Sequence, residues 1–165
     1  MYSKKHLWLI VLVSAVVIAA ALYSQYVLKM DPCPLCIFQR VAVIFVGLFA
    51  LLMALLPQRK SGMGLFSAVL ISIPALIGLG IAIRQRYIQG WPPSEVAACG
   101  PGLDFMMDTL PLQGVIQTVL SGSGECAAVE YVLGVPLPIW SALFFVFALL
   151  VAWGGWFKFR RGRRY

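Results

Sequence analysis

Cys33-Pro34-Leu35-Cys36-Ile37-Phe38-Gln39-Arg40 stands between two long apolar runs. If those runs cross a bilayer, both thiols sit at a membrane surface. Arg40 follows Cys36 by four residues, about one helical turn, so the two share a face if the second run is helical. The thiolate is the reactive form of cysteine, and a helix N-terminus and a nearby cation both favour it over the thiol. The stretch reads as a redox site at the edge of a bilayer, and the chain around it has to supply the frame.

On its N-terminal side, residues 7–26 are uncharged and apolar, long enough for a span of roughly twenty residues. Lys4 and Lys5 precede this run, and Tyr23 and Tyr26 suit an interface where amphipathic rings collect. A cleaved signal peptide with Ala19-Ala20-Ala21 as its processing site is the rival reading, but the run exceeds an h-region of roughly 7–15 residues. A short link over 27–36 carries Lys29 and Asp31. On the C-terminal side, 37–56 is a second span, interrupted only by Gln39 and Arg40. After the basic turn Pro57-Gln58-Arg59-Lys60-Ser61-Gly62, a third span covers 63–83. Pro74 lies inside it and predicts a kink that membrane helices tolerate. Gly78 and Ala82, one turn apart, suit close helix contact as well as they suit being merely small.

Residues 84–135 form the longest hydrophilic region, with turn signals at Trp91-Pro92-Pro93, Cys99-Gly100-Pro101-Gly102 and Ser121-Gly122-Ser123-Gly124. Between them Leu112, Val115, Ile116, Val119 and Leu120 recur at helical spacing. Pro111 opens this short amphipathic helix, which lies on the membrane surface or packs inside the loop's own core. Pro136-Leu137-Pro138-Ile139-Trp140 leads into a fourth span over 139–157.

Four spans put both ends of this sequence and the 57–62 turn on one side. That side holds Lys4, Lys5, Arg59, Lys60, Lys158, Arg160, Arg161, Arg163 and Arg164, against Lys29, Arg40, Arg84 and Arg86 on the other. The positive-inside rule makes the richer side cytoplasmic. All four cysteines then face outward, where disulfides persist. The whole 165-residue chain is 61% hydrophobic and 12% charged, where soluble proteins carry roughly a quarter charged residues. The expected fold is an all-α membrane protein: one domain, a four-transmembrane-helix bundle with a short first and a long second outer loop. The net charge of +7 is divided among ends and turns, which excludes a nucleic-acid-binding face.

A C-x-x-C pair binds zinc, forms a static disulfide or shuttles electrons. Zinc is disfavoured: Cys99 and Cys126 do not make a second C-x-x-C, and the only histidine, His6, falls across the membrane. Cys99 and Cys126 as a loop staple remain open. A disulfide within Cys33–Cys36 restrains little chain, so a purely structural role there is weaker. Arg40 at the start of a membrane helix is unfavourable against the helix dipole and costly in lipid. It requires a Cys36 thiolate, a ligand carbonyl or a route to the headgroups. Arg84, Gln85, Arg86 and Gln89 reach the same surface, mostly as interfacial anchors, with one of them available to line the site. No nucleotide fingerprint and no haem or iron–sulfur ligand set can be assembled. An electron acceptor reachable from a membrane rim is a lipid-dissolved quinone.

The order of these features resembles the DsbB family of bacterial inner-membrane disulfide oxidoreductases over nearly the whole chain. The Cys33–Arg40 string is the most specific part; Arg84-Gln85, Gln89 and Trp91-Pro92 ahead of Cys99 also fit. The resemblance implies redox-active disulfides Cys33–Cys36 and Cys99–Cys126, with all four cysteines catalytic. It implies that Cys99 exchanges with a periplasmic DsbA-like protein and that Cys33 exchanges with the loop pair. Cys36 then lies beside ubiquinone or menaquinone, and Arg40 assists quinone binding. Some members carry histidine where this chain has Gln85, so a quinone contact there is an open expectation. No metal is expected. The rivals are a substrate-dedicated paralogue, a vitamin K epoxide reductase-like protein, and a non-catalytic scaffold with two structural disulfides. In the epoxide reductase family the loop pair precedes the C-x-x-C; here it follows.

Overall fold

The computed structural model describes residues 4–29, 33–56, 61–90, 108, 109, 111, 113, 114, 131, 132 and 134–161. Four helices dominate: α1 Lys4–Tyr26, α2 Pro34–Leu55, α3 Ser61–Ile88 and α4 Leu137–Arg161. Each is long and apolar enough to cross a membrane. At 22 to 28 residues they reach about 33–42 Å, more than the roughly 30 Å hydrocarbon core. Exposed Tyr23, Tyr26, Tyr87, Tyr131 and Trp140 gather at the end that carries the cysteines, and exposed Trp8 lies toward the other. Such aromatic residues settle at the headgroup level.

Local chemistry explains the helix ends. Pro34 is the first helical residue of α2, a position whose N–H has no intrahelical partner in any case. The extended Leu56 ends α2, as expected of a residue before proline. Before α4, β1 Tyr131–Val132 pairs antiparallel with β2 Val135–Pro136, and Gly134 takes φ +78° in the turn, a value that glycine adopts without a Cβ penalty. This small ladder was not anticipated by the all-α reading. It is two residues per strand and leaves the four-helix architecture unchanged.

Neighbours in sequence are neighbours in space. α2 packs on α1 and α3, and α4 packs most extensively on α3 and only lightly on α1. The main core joins Leu7, Ile10, Val46, Ala50, Met53, Ile71, Ala75, Phe145 and Ala148. α3 and α4 approach closely at Gly78: a Cβ there would stand 2.1 Å from Cζ of Phe145, a fully buried ring. Trp153 Nε1 donates to Ser72 Oγ at 3.0 Å, and Ser72 donates to the Ala68 carbonyl at 2.7 Å. Gly47 lets α1 approach α2, since a Cβ there would meet Ser14 Cβ at 2.9 Å.

Two shifted boundaries bear on the site. α2 begins at Pro34 rather than 37, and α3 runs unbroken through Pro74 to Ile88 rather than ending at 83. Arg84, Gln85 and Arg86 are therefore helical, not part of the outer loop. Hydropathy places a boundary at the first charge, whereas backbone hydrogen bonding carries a helix past the hydrocarbon edge. Cys99, Cys126 and most of the amphipathic helix expected over 111–120 lie outside the described residues; of that stretch Pro111, Gln113 and Gly114 are described, the last two helical.

Candidate redox site

Cys33 is the N-cap of α2. Its backbone is extended (φ −62°, ψ 156°), and its sulfur accepts the Cys36 N–H at 3.4 Å. Sulfur here stands where a serine or aspartate oxygen usually caps a helix. The cap turns the chain back on itself, so the two residues that a C-x-x-C separates meet. Cys33 and Cys36 lie with their sulfurs 2.9 Å apart, the Cys33 thiol donating to Cys36. Both are 8% exposed. Leu35 and Ile88 complete a buried cluster with them, covered by Phe38, Ile81 and Leu137. The pair thus sits where the start of α2, the end of α3 and the start of α4 converge.

Two amides extend the site inward. Gln39, three residues beyond Cys36, faces α3, and its Nε2 donates to Gln85 Oε1 at 2.6 Å. Gln85 Nε2 then donates to Cys36 Sγ at 3.2 Å and to Cys33 Sγ at 3.4 Å. Both glutamines are buried, at 4% and 3% exposure. A polar group hidden this deeply costs about 1–3 kcal/mol if left unpaired; the chain of amides removes that cost.

Arg40 takes the other side. Its Nη1 donates to Gln25 Oε1 at 2.5 Å and its Nη2 to the Ala21 carbonyl at 3.2 Å. The guanidinium is part-buried and tied to α1 one turn from Cys36. Of the partners foreseen for Arg40, none is the one it bonds here; neutral oxygens of α1 accept from it. Those acceptors orient the charge without neutralising it. Among the expected anchors, Arg84 lies 5.8 Å over the Tyr87 ring, and Arg86 is exposed along a groove of 660 Å³ between α3 and α4 that neither cysteine lines. Gln85 is the member of that cluster that turns into the site. One helical turn separates it from Ile88, the other buried residue of the last turn.

The arrangement brings together Cys33, Cys36 and Gln85, and sets Arg40 beside them on the α1 side. Gln39 and Gln25 were missed as site residues. The available signal for Gln39 was a polar residue at i+3 from Cys36 in an otherwise apolar run. Nothing in sequence pointed from Gln25 to Arg40. Among the described residues no group of three or more His, Cys, Asp and Glu assembles to hold a metal. What the cluster can do is form and break a disulfide, with an amide donor and a cation flanking the sulfurs.

Comparison with known proteins agrees with that chemistry. A family model described as "Disulfide bond formation protein DsbB" matches residues 3–154. The chain is 43% identical over 152 residues to a "Disulfide bond formation protein B" of Acinetobacter baumannii, covering 92% of this chain and 89% of that one. It is 45% identical over 147 residues to the protein of that name in Chromobacterium violaceum, covering 88% and 87%. For Neisseria meningitidis serogroup A the identity is 42% over 154 residues, covering 93% and 94%.

Proposed function

The chain belongs to the DsbB family, a multi-pass membrane protein with a thiol–disulfide oxidoreductase role, and on that premise we propose that it reoxidises a periplasmic DsbA-like dithiol protein and delivers the electron pair to a membrane quinone. The observation that carries the reading is the capped Cys33–Cys36 thiol pair at the outer end of a membrane bundle, with Arg40 one turn away. The inner membrane is the proposed location, with both termini cytoplasmic by the distribution of basic residues.

Ubiquinone or menaquinone fits the groups at this rim. The Arg40 guanidinium is held by neutral acceptors, Gln85 turns its amide toward the sulfurs, and Phe38 provides apolar surface. Arg40 would hold the ring beside Cys36, with Gln85 supporting the sulfurs from the α3 side, and a bound quinone would supply an acceptor for two electrons and two protons.

The protein's own steps follow thiol–disulfide exchange. A partner thiolate attacks Cys99 of the Cys99–Cys126 disulfide, forming a mixed disulfide and releasing Cys126. The partner's second thiol displaces Cys99, leaving an oxidised partner and a reduced loop pair. A loop thiolate then attacks Cys33 of the Cys33–Cys36 disulfide, and Cys36 leaves as a thiolate. The second loop thiol displaces Cys33, and the loop disulfide is restored. Cys33 and Cys36 end as the dithiol, ready to lose two electrons and two protons. Each exchange depends on a thiolate, a good leaving sulfur and access. The start of α2 assists the leaving group, because its N-terminal dipole favours negative charge at Cys36.

The test is quinone reduction by purified protein in detergent, with a reduced DsbA-like donor and soluble ubiquinone and menaquinone analogues, followed by quinone absorbance. Cys36→Ser and Cys99→Ser are expected to fall to background. Arg40→Ala is expected to raise the quinone KM about tenfold, the loss of one charge-assisted hydrogen bond. Folded wild type that turns over neither quinone with any dithiol donor overturns the relay and leaves a scaffold with structural disulfides.

A further inference from the structure

We infer that Gln39 is a positioning residue for the redox step: its amide fixes Gln85 with the N–H groups toward the sulfurs, so that a neutral donor stabilises the thiolates of Cys33 and Cys36. The inference rests on the redox reading and names a residue through which that chemistry is set.

An amide side chain has an accepting end and a donating end. Gln39 donates to Gln85 Oε1 at 2.6 Å, so the accepting end of Gln85 points into α2 and its donating end points at both sulfurs, 3.2 and 3.4 Å away. A reversed Gln85 would set two N–H groups against each other and aim a carbonyl oxygen at the sulfurs. Burial of both side chains leaves little room for water to satisfy that alternative. With Gln39 in the orientation found, Gln85 is held in one of two orientations that it does not distinguish alone.

The consequence depends on the oxidation state. Sulfur in a disulfide is a weak acceptor, whereas a thiolate accepts a charge-assisted hydrogen bond roughly twice as strong as a neutral one. The oriented amide therefore favours the reduced pair over the disulfide and eases departure of either sulfur as a thiolate. An amide does not titrate, so the donor is the same at every pH and its effect follows the thiolate fraction of the two sulfurs. The other charged and titratable groups at this end, among the described residues, are Tyr23 and Tyr26 in the last turn of α1, Lys29 after it, Arg40 on α2, Arg84, Arg86 and Tyr87 on α3, Asp108 between α3 and β1, and Tyr131 on β1; the first turn of α4 presents none. Arg40 is tied to α1, on the far side of the sulfurs from Gln85.

The experiment uses the reduced full-length chain in quinone-free detergent. Brief labelling with iodoacetamide, in which a thiolate displaces iodide and forms a carbon–sulfur bond, is run across pH and read at Cys33 and Cys36 by mass spectrometry. Gln85→Met, a similar volume without a donor, is expected to slow labelling at neutral pH about tenfold and shift the profile to higher pH. Gln39→Met is expected to do the same about threefold, and Gln39→Leu, which removes the same donor with another shape, to match it. In the Gln85→Met background Gln39→Met should add nothing, since Gln39 acts only through Gln85. An unmoved profile in folded Gln39→Met and Gln39→Leu, or an effect that persists without Gln85, overturns the assignment. Wild-type quinone turnover is measured alongside: its absence counts against the redox reading, while its presence with an unmoved profile counts against Gln39 alone.

Discussion

Where α2 meets α3 at the cysteine end, Gln39 bonds to Gln85, and Gln85 turns its amide toward two sulfurs. Deeper in the bundle, where α3 meets α4, Gly78 has no side chain and the Phe145 ring occupies the space. Both contacts join α3 to a neighbour, and both are buried. The first is directional: each polar atom needs its partner, and a change is felt as chemistry at the cysteines. The second is steric: no hydrogen bond is made, and a change is felt as a gap or a clash between helices. A membrane bundle lacks the water-driven association that holds soluble helices together, so small residues that allow close approach take over in the interior. Among the described residues, the amides and the guanidinium gather around the cysteines, while the interior keeps the Trp153–Ser72 bond between α3 and α4.

Substitutions can break or sharpen this contrast. The largest effect is expected from Cys36→Ser: redox turnover falls to background while helix content and thermal unfolding in detergent stay near wild type. Coincident loss of fold would mean that the outer end also carries the bundle. Next comes Gly78→Ala. Its Cβ would overlap a buried ring at 2.1 Å, and overpacking of this kind costs about 1–3 kcal/mol. Chemical unfolding in mixed micelles should register that loss, and Phe145→Leu in the same chain should recover part of it. If Gly78→Ala is neutral, the α3–α4 contact is softer than its geometry. Trp153→Phe is expected to cost about 0.5–1.5 kcal/mol through the bond to Ser72, measured in the same way and with turnover unaffected. Gly80→Ala should show the smallest effect. No atom lies within 4 Å of a Cβ there, and replacing a helix-interior glycine by alanine is neutral or stabilising by up to about 1 kcal/mol. Two glycines two residues apart then give opposite signs, one pressed against a ring and one facing lipid.

The spans were legible because hydropathy is a local, additive property: residues 7–26 and 139–157 lie within helices of the structure. The C-x-x-C was legible as redox chemistry because its spacing alone brings two sulfurs near one helix end. Helix limits were less so. Cysteine is not among the usual capping residues, so nothing local pointed to Cys33 as the cap of a helix starting at Pro34. The charges Arg84 and Arg86 suggested the end of a span, but α3 continues past them and rotates Gln85 inward between two outward-facing arginines.

From the sequence alone came the four helices and a cysteine pair at one helix end beside an arginine; the orientation in the membrane is proposed from the distribution of basic residues. Those properties follow from composition along short stretches of chain. The tertiary structure decided which polar residues face which. Gln39 reaches Gln85 across 46 positions of sequence, and Arg40 binds α1 through Gln25 and the Ala21 carbonyl. Helix rotation and the order of packing set those pairings, and neither is encoded in any single segment. A buried amide is satisfied only by the side chain that the neighbouring helix happens to present at its height. The surroundings of the two sulfurs are therefore a property of the assembled bundle.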